Sequence, residues 1–89
     1  MAQYIICTEN KEFSYHGTTK VGNNKMHYIT KCHSGVKVFD NQGDCSNLLV
    51  ELLQHPKNIL WQLHAGYNGA DIKALIGSLQ VLKLEDYEK

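Results

Sequence analysis

Three cysteines and five histidines are the residues of this chain best suited to metal binding or nucleophilic chemistry. A structural zinc site needs about four convergent cysteine or histidine ligands, usually with local pairs such as CxxC. The sequence contains neither CxxC nor HxxxH, and the adjacent Cys32 and His33 would point to opposite faces of a strand. We therefore predict no metal site and interpret Cys7, Cys32 and Cys45 as small buried hydrophobic residues.

A cysteine–histidine pair is a second arrangement that could do chemistry, because its two partners need not be close in sequence. Nothing local marks Cys32 or Cys45 as an activated thiol, and a position on an apolar strand face favours an inert one. The carboxylates Asp40, Asp44 and Asp71 stand where turns and helix caps need them. We find no complete catalytic constellation and predict a protein that is not an enzyme and needs no cofactor.

A GxxG loop at residues 66–69 precedes an amphipathic segment and is the third candidate. Such a loop can clamp a nucleic-acid backbone, and a helix N-terminus can hold a single phosphate or carboxylate. The loop carries no basic residue, which favours a tight turn in which Asn68 caps the helix. The alternative is a site for a small molecule, nucleotide or nucleic acid. Its residues would be Gly66, Tyr67, Asn68, Gly69 and Lys73.

The composition limits the partners that the protein could have. The chain of 89 residues is predicted to form one domain, 1–89, and carries nine lysines, nine carboxylates and no arginine. A formal net charge of zero argues against nucleic acid or an anionic membrane as the main partner. The odd cysteine count and the lack of a signal peptide or long apolar run favour a cytoplasmic protein. Abundant lysine and asparagine without arginine suggest an AT-rich genome, such as that of a phage.

The clearest element is a helix at residues 44–56, whose leucines Leu48, Leu49, Leu52 and Leu53 form one apolar stripe. Asp44 or Ser46 is predicted to cap its start, and Pro56 ends it. The segment 58–64 is predicted as a strand, with a helix as the alternative.

A second helix is predicted from Asn68 to Gly77, which would end it as a left-handed cap; the alternative is one helix that continues to about residue 82. A closing strand follows at 79–84, and the charged tail 85–89 is predicted to fray.

Four strands are predicted before the first helix, at residues 3–8, 12–21, 25–33 and 36–40, with a reversal at 22–24. A bulged turn at Gly35 would join the last two strands and create one continuous apolar face. That face would receive the leucine helix and would consist of Met26, Tyr28, Thr30, Cys32, Val36 and Val38. The predicted fold class is α+β: an antiparallel meander of about four strands, packed on one face by two short helices, with a fifth and a closing strand.

The opposite sheet face is predicted to be partly open, and His16 also points to it; the alternative is that this face is only solvated or is covered by the C-terminal half of the chain. Apolar side chains among histidines and lysines are typical of a contact surface. The predicted partner-binding residues are His27, Ile29, Lys31, His33, Lys37 and Phe39. An exposed edge at 36–40 would offer a second route, through strand addition or pairing of two copies. The leading functional hypothesis is a small intracellular protein-binding module, an inhibitor or regulator of a partner protein, that pairs as a homodimer.

Overall fold

The computed structural model describes residues 2–31, 35–61 and 69–87. Its five strands form one sheet in the order β4-β3-β2-β1-β5, in which only the β3–β4 pair is parallel. The elements are β1 Tyr4–Thr8, β2 Ser14–Val21, β3 Asn24–Thr30, α1 Gln42–Gln54, a 3₁₀ turn Pro56–Asn58, β4 Ile59–Trp61, α2 Gly69–Gly77, β5 Leu79–Lys83 and α3 Leu84–Tyr87. The sheet curls into a half-barrel, and the predicted α+β class is confirmed.

Strand β1 lies inside the sheet, with Ile5, Ile6 and Cys7 fully buried. It pairs with β5 along its whole length but meets β2 only where Cys7 faces Ser14. Beyond that point β1 and β2 diverge, and the two strands expose backbone groups that need partners.

The segment 36–39 fills the gap between β1 and β2. Tyr4 and Phe39 exchange two backbone hydrogen bonds of 2.8 Å, and the Lys37 N–H donates to the Tyr15 carbonyl at 2.9 Å. The prediction of a fourth strand at 36–40 that pairs with β3 is therefore wrong. The segment forms backbone hydrogen bonds with the two diverging strands instead of with β3.

Helix α1 confirms the strongest sequence prediction, although its start lies earlier than expected. The Asn41 side chain accepts hydrogen bonds from the N–H groups of Gly43, at 2.7 Å, and Asp44, at 3.2 Å. Asn41 therefore satisfies the first orphan donors, and the predicted caps Asp44 and Ser46 lie inside the helix. The helix ends before Pro56, which opens the 3₁₀ turn.

Helix α1 packs on the sheet face opposite to the predicted one. Leu52 and Cys45 are fully buried in a cluster that includes Ile29, and Leu48 and Leu49 pack against that cluster. Burial of a leucine such as Leu52 contributes about 2–3 kcal/mol of transfer free energy. The predicted face relied on a hairpin between residues 25–33 and 36–40, and that pairing does not form.

The second sheet face is covered as well. Ile5, Cys7 and Tyr87 form a cluster there, against which Val36, Val38, Leu82 and Leu84 pack. Tyr87 lies in α3 and is only 7% exposed, so the predicted fraying of the tail is wrong as far as residue 87. The side chains of Leu84 and Tyr87 pack in this cluster and hold the last turn on the sheet.

The C-terminal half follows the predictions closely. β4 confirms the fifth strand at 59–61, and β5 confirms the closing strand and excludes the longer helix. α2 ends at Gly77 as predicted, but Gly77 does not take a positive φ. Ser78 closes the helix instead, because its N–H and its Oγ both donate to the Leu75 carbonyl, at 3.1 and 2.8 Å. None of the helices in the described ranges has the length and apolar character needed to cross a membrane.

Candidate functional site

The predicted partner-binding residues do not form one open surface. Ile29 is fully buried under α1, so the expectation that it is exposed is wrong. Phe39 is half-buried and stacks on Tyr15, with 6.4 Å between ring centroids. His27 is also largely covered, with 15% of its side chain exposed.

The two described lysines of that set already have contacts. Lys31 makes a 2.9 Å ion pair with Glu12, and the Lys37 ammonium lies 6.0 Å from the centre of the Phe39 ring. The remaining predicted member, His33, lies outside the described residues. Of the predicted set, His27, Lys31 and Lys37 thus stand near the protein surface, each fixed by a neighbour.

The alternative ligand site at residues 66–69 is largely outside the described ranges. Gly66, Tyr67 and Asn68 are not described, Gly69 begins α2, and Lys73 is exposed on that helix. The ligand site therefore stays a prediction.

Nucleophilic chemistry finds little support among the described residues. Cys7 and Cys45 are free and buried, as predicted. Burial raises the pKa of the Cys7 thiol, and burial followed by the charge of Cys7 raises the pKa of Cys45 to about 11. The Ser14 Oγ lies 3.1 Å from His16 Nε2, yet Ser14 is only 1% exposed and out of reach of a substrate. Within residues 2–31, 35–61 and 69–87, no three His, Cys, Asp or Glu side chains are grouped to hold a metal ion.

A bulge in β2 divides the β2–β3 pair into two parts. Tyr15 pairs with Ile29 and Thr18 with His27, so β2 contains one residue more than β3 in this interval. The extra residue is accommodated at Gly17, whose φ is +101°. Glycine adopts this value readily, whereas residues with a larger side chain do not. A bulge of this kind bends the strand and increases its local twist.

Residues 18–27 beyond the bulge form a two-stranded arm, and most of them are exposed. Its strands reverse at Gly22, whose φ of +62° is followed by an ordinary φ at Asn23. Glycine at the first turn position with this sign pattern is typical of the type II′ hairpin turn, which matches the twist of the strands. The arm is therefore a regular hairpin with a two-residue turn.

The arm carries two lysines directly opposite each other. Lys20 pairs with Lys25 across the strands, and Thr18 pairs with His27 on the same side of the arm. We call these four residues the arm face. Directly opposed side chains have Cβ atoms about 5 Å apart, and like charges at that distance repel. Lys20 and Lys25 are exposed and make no ion pair with a described residue.

The root of the arm face is held by a hydrogen-bonded chain that links three elements. His27 Nδ1 lies 2.9 Å from the Tyr15 hydroxyl, and His27 Nε2 lies 3.3 Å from Glu51 Oε2 on α1. Burial, and then the charge of Glu51, raise the pKa of Tyr15 to about 12. Tyr15 therefore stays protonated and can donate to His27 Nδ1, and in that tautomer the Nε2–H of His27 donates to Glu51.

Charge is strongly segregated along the chain although its sum is zero. Residues 13–39 hold four lysines and no carboxylate, and the other segments hold five lysines and all nine carboxylates. Lys31 is paired with Glu12 and Lys37 lies over the Phe39 ring, whereas Lys20 and Lys25 are exposed and make no ion pair with a described residue. Counting charge over the whole chain conceals this segregation.

Sequence reasoning missed Lys20, Lys25, Tyr15 and Glu51 as members of a site. The run without carboxylates is a signal that the sequence does contain. The opposition of the two lysines depends on the strand register, and no spacing pattern joins Tyr15, His27 and Glu51. Comparisons of this chain with protein-family models, with curated proteins and with solved structures find no match.

Proposed function

We propose that this protein is a small binding module that docks on an acidic surface of another protein through the arm face. The observation that carries the proposal is the pair of opposed, exposed lysines on the exposed arm. Such a module acts by occupying or blocking its partner, which agrees with the sequence-based hypothesis of an inhibitor or regulator.

The opposed lysines favour an anionic partner for a physical reason. Like charges directly across a strand pair destabilise the free protein by up to about 1 kcal/mol. Partner carboxylates between Lys20 and Lys25 would remove that repulsion and form charge-assisted hydrogen bonds. The bulge and the type II′ turn set the backbone positions of the two lysines before binding, so that association need not order the backbone of the arm.

The chemistry of the arm favours a protein partner over nucleic acid. Two exposed cations would neutralise about two phosphates, which supports only weak binding to nucleic acid, with a salt slope of about −2. The arm has no arginine for bidentate phosphate contacts and no tyrosine, phenylalanine or tryptophan on which bases could stack.

The test compares two double charge reversals. The arm variant is Lys20→Glu with Lys25→Glu, and the matched control is Lys73→Glu with Lys83→Glu, which changes two exposed lysines of the C-terminal half. The probe is a labelled glutamate-rich peptide, followed by fluorescence anisotropy at low and raised salt, with a glutamine-rich peptide as the neutral comparison. We expect the arm variant to lose at least about tenfold in affinity for the acidic peptide while the control retains it.

Three results would count against the arm. The first is that the acidic peptide does not bind the wild type. The second is an equal loss of affinity in both variants, and the third is that a labelled DNA binds more tightly than the peptide. A selective loss in the Lys73 and Lys83 variant would move the site to α2 and favour the ligand-binding alternative. Circular dichroism of each variant verifies that it is folded. Capture from host lysate, by the wild type and the control but not by the arm variant, would then identify the partner.

A further inference from the structure

An exposed apolar pair lies on the outer side of α1. Val50 is 49% exposed and Leu53 is 45% exposed, whereas Leu52 and Cys45 of the same helix are buried. In the described residues the only other large hydrophobic side chain with this exposure is Val21, on the arm. Two such residues one turn apart form a small apolar surface in an otherwise polar helix face.

A depression adjoins this pair directly. Residues 54–58, which form the end of α1 and the 3₁₀ turn, surround a volume of about 310 Å³. A cavity of about 150 Å³ holds a benzene molecule, so this depression can accept a branched aliphatic side chain. It is lined by Gln54, His55, Pro56, Lys57 and Asn58.

We infer that two copies of this chain pair through the C-terminal end of α1, with Leu53 of each copy seated in the 54–58 depression of the other. Leu53 directly precedes the segment that lines the depression, so an exposed apolar side chain and a recess are neighbours along the chain. A two-fold axis near Gln54 satisfies both at once, because each copy then gives Leu53 and receives Leu53. A second copy of the chain necessarily carries both the exposed leucine and the depression.

Charge complementarity points to the same occupant. The last turn of α1 contains no basic residue, so its negative dipole end has no cation from its own helix. Lys57 is exposed just beyond that end and makes no ion pair with a described residue. The two-fold arrangement brings Lys57 of one copy beside Glu51 and the helix end of the other. Glu51 is 53% exposed and bonds His27 through one oxygen, which leaves its second oxygen for this contact.

The contact of two helix ends is small. Stable interfaces bury about 1,200–2,000 Å² in total, and this one covers less. We therefore expect a dissociation constant of about 10–100 µM, so that the dimer forms at high local concentration. Glu51 belongs to both sites, but Leu53→Asp tests the interface without changing the arm lysines, and Lys20→Glu with Lys25→Glu tests the arm without changing Leu53, so the failure of one proposal is distinguishable from the failure of the other.

Sedimentation equilibrium over about 10 µM to 1 mM protein tests the inference. Wild type is expected to pass from monomer to dimer across this range, and Leu53→Asp is expected to remain monomeric throughout. Val21→Asp is the matched control, because Val21 is 44% exposed and Leu53 is 45% exposed; it should dimerise like the wild type. A monomeric wild type at 1 mM, or equal weakening by Val21→Asp, would overturn the interface.

A charge exchange tests the two-fold geometry itself. Glu51→Lys and Lys57→Glu are each expected to weaken the dimer, and the double variant should recover it because both intermolecular pairs are then inverted. Recovery by the double variant separates a second copy from any other occupant of the face. If the double variant has a native fold by circular dichroism but does not recover dimerisation, the paired arrangement is refuted.

Discussion

Replacement of Ile29 by alanine tests which face of the sheet forms the core. Sequence alternation assigns Ile29 to an open binding surface, whereas the structure buries it completely under α1, in a cluster with Phe13 and Leu52. A binding-surface residue could be truncated with little effect on stability. A residue at the centre of the core could not.

The magnitude follows from the groups that are lost. Removal of the side chain beyond Cβ deletes about three buried methyl or methylene groups, each of which contributes about 0.8 kcal/mol of transfer free energy. The cavity that remains adds about 1 kcal/mol, so the free energy of unfolding should fall by about 3.5 kcal/mol, within the usual range for this substitution. For a domain of this size that loss lowers the melting temperature by about 14–28 °C.

Urea unfolding followed by circular dichroism measures this change. The comparison is Val21→Ala, which shortens a β-branched residue that is 44% exposed on the arm and should cost less than about 1 kcal/mol. A change of similar small size for both variants would mean that α1 does not cover Ile29. That result would refute the packing on which the position of the arm face depends.

Two further predictions concern the bulge and a buried thiol. Gly17→Ala should lower the free energy of unfolding by about 1–2 kcal/mol, because Gly17 has a φ of +101° although the space around it is open. Gly77→Ala, at an open position with ordinary φ, should instead stabilise α2 by up to about 1 kcal/mol; equal effects in a urea titration would show that the bulge is not strained. The pKa of Cys45 is raised from 9.0 to about 11, so at pH 7 its thiolate should be about a hundredfold scarcer than in unfolded chain. Iodoacetamide should therefore modify Cys45 slowly in the native protein and rapidly in urea. Because the protonated thiol is favoured in the fold, the contribution of Cys45 to stability should persist below pH 9 and disappear as the pH rises to about 11. Rapid alkylation of native Cys45 would contradict its burial.

Of the candidate site, the sequence could supply members but not their arrangement. Of the arm face, His27 was found because a histidine stands out among apolar residues, whereas the predicted Lys31 and Lys37 lie outside the arm face. Lys20 and Lys25 were not singled out, since a lysine in a strand is ordinarily just a solvated side chain. Their importance comes from direct opposition, which exists only in one register of β2 on β3.

The sequence by itself determined those features whose causes are local. Helix α1 follows from the periodic leucines and from Pro56, the reversal at 22–24 from glycine and asparagine, and β5 from the short apolar run after Gly77. Each of these depends on groups within a few residues of one another, so the chain need not be folded to reveal them.

Tertiary structure alone decided which side of the sheet is inside. The period of a strand is two residues, so one extra residue in β2 exchanges the two faces for everything beyond it. The segment 36–39 could have extended the meander, but the gap between β1 and β2 offered it backbone partners. These choices buried Ile29, joined His27 to Glu51 and left Lys20 and Lys25 together at the end of the arm. They depend on competition between distant segments for the same hydrogen bonds and the same apolar face, which no local pattern records.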